Sequence, residues 1–248
     1  MPKKESDDYI KEELQKTDSD RYLISLFSPK ERQEALWSLF LFNHEISKTR
    51  FVVTETQLGL IRLQWWRDEI AKLYSGEGAP DHPVLQGLEV IIRDYGLPQA
   101  LFNNMIFARE FDLEDVSPQG MEGLINYADL TTTPLNKLAL QIEGSDPAEE
   151  EIQKISVRYA LVKLFLHIPA YQQQRLTIIP KSLYEDVQNY LINREKITLQ
   201  SPILKAQNAL TKLYVKQLKQ VHFDANDPKL TKPPLFKELR VALSVSCP

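Results

Sequence analysis

The sequence is short of glycine and cysteine, and it has no long apolar run. Only 8 of its 248 residues are Gly, whereas sheet-rich and nucleotide-binding folds use glycine freely at turns and phosphate loops. The single Cys, Cys247, excludes an internal disulfide and a cysteine-based metal site. No stretch approaches the roughly 20 apolar residues that span a bilayer. These absences predict a helical protein without a transmembrane segment.

Charge and the N-terminal residues restrict the function further. The net charge of -4 argues against nucleic-acid binding, because that binding requires clustered Lys and Arg. The densest basic run, Lys205 to Lys219, alternates with Leu and Val and is typical of a solvated helix face. An amphipathic face such as Leu204 to Val221 is compatible with peripheral membrane contact. The charged residues Met1 to Asp8 resemble neither a secretory signal nor a transit peptide, so a cytoplasmic location is expected.

Helix start signals recur along the whole chain. Cap residues followed by proline or by an apolar-periodic run predict helix starts near residues 29, 55, 118, 147 and 202. Ser28 and Thr54 each open a capping box. Helical periodicity also appears over residues 83–94, 98–113 and 232–245. We therefore predict an all-α, single-domain bundle over residues 1–248, in which residues 1–17 are loosely packed.

Aromatic and acidic side chains give less specific signals. Trp65 and Trp66 predict one buried indole beside a half-exposed one. Phe102, Phe107 and Phe111 follow helical spacing, which predicts core packing or the lining of a tunnel. The acidic cluster most similar to a metal-binding site is Glu110, Asp112, Glu114 and Asp115. Its simpler interpretation is a solvent-exposed helix end, with Glu110 and Glu114 on one face of the helix. The four histidines have no ligand-like spacing.

Three blocks resemble the squalene and phytoene synthase family. They are residues 28–66 (SPKERQEALW through LQWW), 126–144 (NYADLTTTPLNKLALQIEG) and 161–183 (LVKLFLHIPAYQQQRLTIIPKSL). The resemblance implies an isoprenoid-synthase-type helical bundle. In catalytic members, the first and third blocks carry two aspartate-rich motifs that bind Mg²⁺ and a prenyl diphosphate.

This chain departs from the family at those motifs. Counted from Phe42, the first motif falls on Ser47, Lys48 and Phe51, and from Ile152 to Tyr184 there is no Asp or Glu. Cations that could attract a diphosphate without metal are Lys48, Arg50, Arg62, Arg67, Lys163 and Arg175. The positions of the degenerate second motif are His167, Tyr171, Gln172, Gln173, Gln174 and Arg175. The resemblance also suggests cavity residues, namely Phe42, Tyr127, Thr132, Thr133 and Asp112, where Thr132 and Thr133 replace small residues and predict a narrower cavity.

Within the family, the pattern resembles a non-catalytic branch that includes mitochondrial assembly factors for respiratory complex I. The matching features are Phe42-Asn43 followed by Glu45, the run Gly59 to Trp66, and the segment Pro169 to Pro180. This implies a scaffold with no catalytic residue, no metal and no cofactor, which binds a protein partner at the periphery of an inner membrane, on the matrix side if the source is eukaryotic. An isoprenoid or other lipid in a vestigial cavity fits this interpretation. The alternative is an active prenyltransferase that joins prenyl diphosphates head-to-head through atypical Mg²⁺ ligands.

Overall fold

The computed structural model describes residues 3–114, 117–193, 197 and 199–246, and its regular elements within these ranges are all helical. Short 3₁₀ turns at Phe111–Leu113, Lys181–Leu183 and Pro228–Thr231 join some of the helices. The α-helices of the described ranges are α1 (Lys3–Thr17), α2 (Ser19–Ser25), α3 (Lys30–Ser47), α4 (Thr49–Val52), α5 (Thr56–Ser75), α6 (Pro83–Tyr95), α7 (Gln99–Glu110), α8 (Gly120–Glu143), α9 (Glu149–Leu166), α10 (Ile168–Gln173), α11 (Tyr184–Ile192), α12 (Pro202–Gln220) and α13 (Lys237–Ser246). The predicted all-α class is confirmed.

Most helix starts agree with the sequence signals. The five predicted starts each lie within two residues of an observed start, at residues 30, 56, 120, 149 and 202. The periodic segment 83–94 is α6, and 98–113 is α7 with its 3₁₀ turn. The segment 232–245 is only partly helical, because α13 begins at Lys237. Pro233 and Pro234 explain the delay, since proline disfavours helical backbone in the preceding residue.

Side-chain capping is confirmed at α12 and wrong at two other helices. The Ser201 hydroxyl accepts a hydrogen bond from the Leu204 N–H, at 3.2 Å. By contrast, Pro29 occupies the cap position of α3, and the buried Ser28 hydroxyl finds no hydrogen-bond partner among the described residues. Glu55 occupies the cap position of α5, so Thr54 lies outside it. In both cases the helix begins one residue too late for the predicted hydroxyl to reach its first N–H groups.

The helices group into two compact units. The first comprises Met1–Glu114 and Pro134–Asp146, and the second comprises Asp115–Thr133 and Pro147–Pro248. The chain passes between the units within α8, where Pro134 interrupts the helical hydrogen-bond pattern. The interpretation of residues 1–248 as one domain stays a prediction.

The first unit is built around α3, which packs against α1 and α6. Ile10 and Leu14 of α1 are buried, so the expectation of a loosely packed segment over residues 1–17 is wrong for this helix. The apolar side chains of α1 explain the difference, because they remove surface from water against α3. Gly87 lets α6 approach α3 closely, since a Cβ atom there would lie 2.9 Å from the Ser38 Cβ.

The second unit is built around α12, which packs against α9 and α13. Its fully buried residues include Leu161, Phe165, Leu204 and Leu210. The guanidinium of Arg158 on α9 fixes the end of α11 by donating hydrogen bonds to three backbone carbonyl oxygens, those of Tyr190 at 3.0 Å, Leu191 at 2.8 Å and Asn193 at 2.8 Å.

Candidate functional site

The first degenerate motif lies where α3 ends and α4 begins. Lys48 is the residue between the two helices, Ser47 is the last residue of α3, and Phe51 lies in α4 with its ring exposed. The Ser47 hydroxyl donates a hydrogen bond to the His44 carbonyl oxygen, at 2.9 Å. None of these side chains is a carboxylate, and the Ser47 oxygen is directed back to its own helix. These three positions therefore offer no hard anionic ligand for Mg²⁺.

Two cations bind the acidic residue closest to this motif. The Lys48 ammonium lies 2.5 Å from one carboxylate oxygen of Glu45, and the Arg62 guanidinium lies 3.2 Å from the other. Glu45 is buried, whereas its two partners are each about one third exposed. We call these three residues the Glu45 clamp. With both oxygens engaged by positive groups, the clamp repels an incoming divalent cation.

Two histidines lie next to the Glu45 clamp. Burial lowers the pKa of His44; the nearby Glu45 charge opposes this shift and Lys48 reinforces it. Burial also lowers the pKa of His82, against Glu45 and together with Arg62. The His82 ring packs edge-on against Trp66, with 5.3 Å between ring centroids. Both imidazoles favour the neutral form, so this neighbourhood gains no further positive charge near neutral pH.

The aromatic side chains around His82 divide between core and surface. Trp66 is fully buried and Trp65 is 40% exposed, which confirms the prediction for this pair. Phe42 is fully buried in contact with Trp66 and Phe102, with ring centroids 5.5 and 5.6 Å apart. Phe42 is thus enclosed by packed rings, and its assignment as a cavity residue stays a prediction.

The exposure of Phe107 and Phe111 differs from the core prediction. Both rings are exposed and contact one another edge-on, with centroids 5.4 Å apart. Phe102, one turn earlier, is buried as expected. The difference arises because α7 packs against α5 through its other side, where Met105 and Ala108 are buried.

Acidic side chains at the end of α7 are paired with arginines. The Arg109 guanidinium lies 3.4 Å from Asp112 and also donates to the Asn43 side-chain oxygen, at 3.4 Å. Arg67 of α5 binds Glu110, at 2.6 Å. The Arg67–Glu110 ion pair connects α5 to α7, the Arg109–Asn43 hydrogen bond connects α7 to α3, and Asp112 serves as an ion-pair partner of Arg109 within the first unit.

The predicted shared face of Glu110 and Glu114 is wrong. The α7 helix ends at Glu110, and a 3₁₀ turn separates it from Glu114, so the two residues do not follow the α-helical spacing. Asp115 lies outside the described residues. Within the described ranges, no three side chains of the His, Cys, Asp and Glu types come together as a metal-ligand set.

The three threonines of α8 are buried, and two of them form hydrogen bonds within their own helix. The Thr133 hydroxyl donates to Asp129, whose other carboxylate oxygen accepts from the Gln153 amide, at 2.9 Å. The hydroxyl of Thr131 donates to the Tyr127 carbonyl oxygen, at 2.9 Å. Thr132 is buried as well. The hydroxyls of Thr131 and Thr133 are thus bound within α8, and the narrower cavity implied by Thr132 and Thr133 stays a prediction.

The second degenerate motif forms a helical turn with an exposed end. His167 lies between α9 and α10, with its Nδ1 atom 2.7 Å from the Lys163 carbonyl oxygen. The three glutamines Gln172 to Gln174 are exposed, and Arg175 leaves α10 in the left-handed backbone region, with φ of 59°. Tyr171 and Gln172 line a small pocket that is otherwise bordered by Ile168, Leu176, Thr177, Ile178, Ile179, Lys181 and Tyr184.

The size of this pocket limits what it accommodates. Its volume is about 70 Å³, whereas pockets for drug-sized ligands measure roughly 300 Å³ or more. Only the end of a ligand or a few water molecules fit in this space. The pocket is lined by neutral and cationic groups, and it contains no carboxylate.

Comparison with known proteins decides the family. Residues 14–221 match the squalene/phytoene synthase family. The chain belongs to this family. Among solved structures, a dehydrosqualene synthase in complex with ligand has a TM-score of 0.74 over 98% of this chain and 96% of that chain, at 13% sequence identity. This likeness shows a shared fold and confirms the isoprenoid-synthase-type bundle.

Relatives within the squalene/phytoene synthase family carry two kinds of name. The NADH dehydrogenase (ubiquinone) complex I, assembly factor 6 of Bos taurus is 29% identical over 180 residues, which are 72% of this chain and 54% of that protein. The presqualene diphosphate synthase of Rhodopseudomonas palustris is 24% identical over 227 residues, which are 87% of this chain and 76% of that protein. The chain spans about half the length of the mammalian assembly factors that it matches.

For this family member, sequence reasoning missed the Glu45 clamp. The spacing of Glu45 and Lys48 permits a helical i, i+3 pair, which is a visible signal. Arg62 gave no such signal, because its contact with Glu45 depends on how α5 packs beside α3. Of the cations considered for a diphosphate, Lys48, Arg62 and Arg67 bind carboxylates of the chain itself.

No helix in the described ranges is both long and apolar enough to cross a membrane.

Proposed function

We propose that this chain is a non-catalytic member of the squalene/phytoene synthase family that acts as an assembly factor for a respiratory complex of the complex I type. The observation that carries the loss of catalysis is the Glu45 clamp, in which Lys48 and Arg62 bind both oxygens of the acidic side chain nearest to the first motif. The relatives named complex I assembly factor 6 support the assembly role.

The chemistry of prenyl diphosphates explains why the clamp matters. An allylic diphosphate ionises readily when Mg²⁺ neutralises the charge of the leaving group. Mg²⁺ requires oxygen ligands, usually one or two carboxylates with substrate phosphates and water. At this site the carboxylate is already neutralised by two cations, and the segment from Ile152 to Tyr184 has no Asp or Glu. The fold then serves as a binding scaffold.

The proposal also covers the binding partners of the protein and its location in the cell. The chain binds a protein subunit or intermediate of the respiratory complex, needs no metal or other cofactor, and holds an isoprenoid or lipid tail in the remainder of the ancestral cavity. It does not bind nucleic acid. It works at the periphery of the membrane that contains the complex.

The first test is enzymatic. Purified protein is incubated with farnesyl or geranylgeranyl diphosphate and Mg²⁺, and released diphosphate is measured. We expect no release above the protein-free control and no magnesium-dependent binding of either substrate. Turnover in this assay contradicts the non-catalytic part of the proposal.

The second test addresses assembly. The gene is deleted in the source organism, and fully assembled complex I is quantified on native gels together with its NADH oxidation activity. We expect less assembled complex, restored by a plasmid copy of the wild-type gene. An unchanged amount of complex I contradicts the assembly role even if the enzymatic assay is negative.

A second candidate function is head-to-head condensation of prenyl diphosphates. The presqualene diphosphate synthase relative favours it, because the match covers 87% of this chain. An active enzyme releases diphosphate in the first assay and forms a condensed product. Mass spectrometry of the purified protein adds information on the cavity, since a co-purifying intact isoprenoid without turnover supports the scaffold and a condensed product supports the enzyme.

A further inference from the structure

The most exposed apolar side chains of the described residues lie on and just before α13. Leu235, Phe236, Leu239 and Leu243 are 58 to 74% exposed, and we call these four residues the C-terminal stripe. Single exposed apolar residues are ordinary on protein surfaces, whereas a contiguous group indicates an interaction surface. The stripe therefore requires an explanation other than folding.

The α13 helix has an exposed apolar side and a buried side. Leu239 and Leu243 follow the i, i+4 pattern and share one side of α13, whereas Leu235 and Phe236 precede the helix and Phe236 has a left-handed backbone with φ of 53°. Val241 on the other side is fully buried, and α13 packs against α12. The inner face already anchors the helix to the protein, so the stripe is free to contact something else.

Exposed lysines lie on α12, against which α13 packs, and in the segment that leads to α13. Lys212, Lys216 and Lys219 follow one side of α12 at i, i+4, i+7 spacing, and Lys229 and Lys232 lie in the segment that leads to α13. We call these five residues the lysine border. The amide of Gln217 donates hydrogen bonds to the carbonyl oxygens of Lys229, at 3.1 Å, and Lys232, at 2.8 Å. This contact holds the loop lysines against α12, immediately before the stripe begins.

The charge of this region is opposite to that of the chain as a whole. Residues 199–246 contain eight Lys and Arg against three Asp and Glu, whereas the rest of the chain contains 22 against 31. The three acids are Asp224, Asp227 and Glu238. Asp224 and Asp227 accept hydrogen bonds from backbone N–H groups of their own loop. Within the described part of the chain, no ion pair neutralises the lysine border.

We propose that the C-terminal stripe and the lysine border together dock onto an anionic lipid bilayer. An exposed apolar helix face enters the boundary between headgroups and acyl chains, while flanking lysines bind anionic headgroups. Lysine side chains suit this position because their methylene stems lie along apolar surface while the ammonium group reaches the headgroups. This inference rests on α12 and α13 and does not depend on the proposed assembly role.

The test is flotation of the purified full chain with vesicles. One set contains phosphatidylcholine mixed with phosphatidylglycerol, and the other contains phosphatidylcholine alone. We expect binding to the anionic vesicles only, weakened by added salt because ions screen the lysine charges. Equal binding to both kinds of vesicle overturns the role of the lysine border.

Two variants separate the apolar and electrostatic contributions. Leu239→Ser with Leu243→Ser reduces vesicle partitioning on the order of tenfold or more, because the apolar area that leaves water is lost. Lys229→Gln with Lys232→Gln reduces it roughly tenfold or more and flattens the salt dependence. Matched controls are Leu58→Ser with Ile61→Ser, two exposed apolar residues of α5, and Lys30→Gln with Lys181→Gln, which removes the same charge elsewhere.

A direct probe locates the contact. A Leu239→Trp variant is mixed with anionic vesicles that contain brominated lipid, and its fluorescence is compared with that of the wild-type protein. We expect additional quenching in the variant only. Unaltered vesicle binding in both double variants overturns the proposal. It is also overturned if the wild-type protein does not bind vesicles but forms a dimer that the Leu239→Ser, Leu243→Ser variant does not form. Circular dichroism confirms that each variant is folded.

Discussion

Arg62 on α5 binds the same carboxylate as Lys48, although 17 residues separate it from Glu45 in the sequence. The contact connects α5 to the end of α3. It leaves both oxygens of the Glu45 carboxylate in ion pairs with positive groups. The behaviour of this cluster, and of four other features of the fold, is open to direct measurement.

Replacement of Glu45 tests the clamp as a structural element. Glu45→Gln keeps the shape of the side chain but leaves Lys48 and Arg62 without their acidic partner. We expect the free energy of unfolding to fall by about 1–2 kcal/mol, a modest value because both cations are partly screened by solvent. Urea denaturation measures it. Glu150→Gln is the control, since an ion pair as exposed as that of Glu150 with Lys154 is expected to contribute little to stability; equal effects of the two changes contradict a special role for Glu45.

Stability should decrease as the pH falls below the ordinary histidine range. Burial lowers the pKa of His44 and His82 below 6.5, so the unfolded chain takes up protons at a pH where the folded protein does not. The stabilisation is complete above about pH 6.5 and is lost as the pH falls through the folded-state pKa. Thermal denaturation over this range measures the slope.

The double variant His44→Gln, His82→Gln identifies the source of this slope. We expect a flatter dependence of the melting temperature on pH in the acidic range. His222→Gln, at an exposed position, serves as the control for replacing a histidine by glutamine. If the double variant keeps the wild-type dependence of the melting temperature on pH, groups other than these two histidines cause it.

Arg158 should contribute more to stability than a surface arginine. Arg158→Ala removes three charged hydrogen bonds to the end of α11 and lowers the free energy of unfolding by about 2–3 kcal/mol. Hydrogen exchange of the α11 amides should accelerate. Arg93→Ala serves as the control, because Arg93 pairs with Asp94 at an exposed position. Similar exchange rates in both variants argue against a capping role.

Replacement of glycine by alanine should change the stability of the protein in opposite directions at two helical positions. In Gly87→Ala the new methyl lies 2.9 Å from the Ser38 Cβ, which is attached directly to the α3 backbone, so α6 and α3 must separate. We expect a loss of about 1–3 kcal/mol. At Gly123 the nearest atom is 3.7 Å away, and Gly123→Ala should stabilise α8 by up to about 1 kcal/mol. The two unfolding midpoints should therefore shift in opposite directions.

Partial restoration of the first motif should not restore catalysis. Ser47→Asp with Lys48→Asp supplies two carboxylates at the family positions, but the segment from Ile152 to Tyr184 still has none. We expect no release of diphosphate from farnesyl diphosphate at any Mg²⁺ concentration. The wild-type protein is the control, and turnover in the double variant contradicts our interpretation of the second motif.

Helix boundaries were predictable where the signal is local. Gly76 ends α5 in the left-handed backbone conformation that the Ser75-Gly76 pair indicates, with φ of 81°. The Ser201 cap of α12 was predictable as well, because a serine directly before a proline is a local signal for a helix start. The capping boxes at Ser28 and Thr54 failed because a shift of one residue in a helix start removes the hydroxyl from the N–H groups, and local sequence does not fix a start that closely.

Side-chain environments that depend on packing between helices were less predictable. Phe102, Phe107 and Phe111 have the same chemistry and helical spacing, yet only Phe102 is buried, because the packing of α7 on α5 selects one side. The family resemblance located Ser47 and Lys48 and predicted the fold, but the acid that Lys48 binds and the arginine that shares it emerge only from the arrangement of α3 and α5.

The Glu45 clamp also has an evolutionary consequence. A single substitution of Lys48 by an acid places a second negative charge beside Glu45 and leaves Arg62 as the sole counterion, so that variant is less stable than the present sequence. Selection for folding alone therefore opposes an acid at position 48 unless a second substitution compensates for it. Any lineage with this arrangement is held to it by stability, whatever the protein binds.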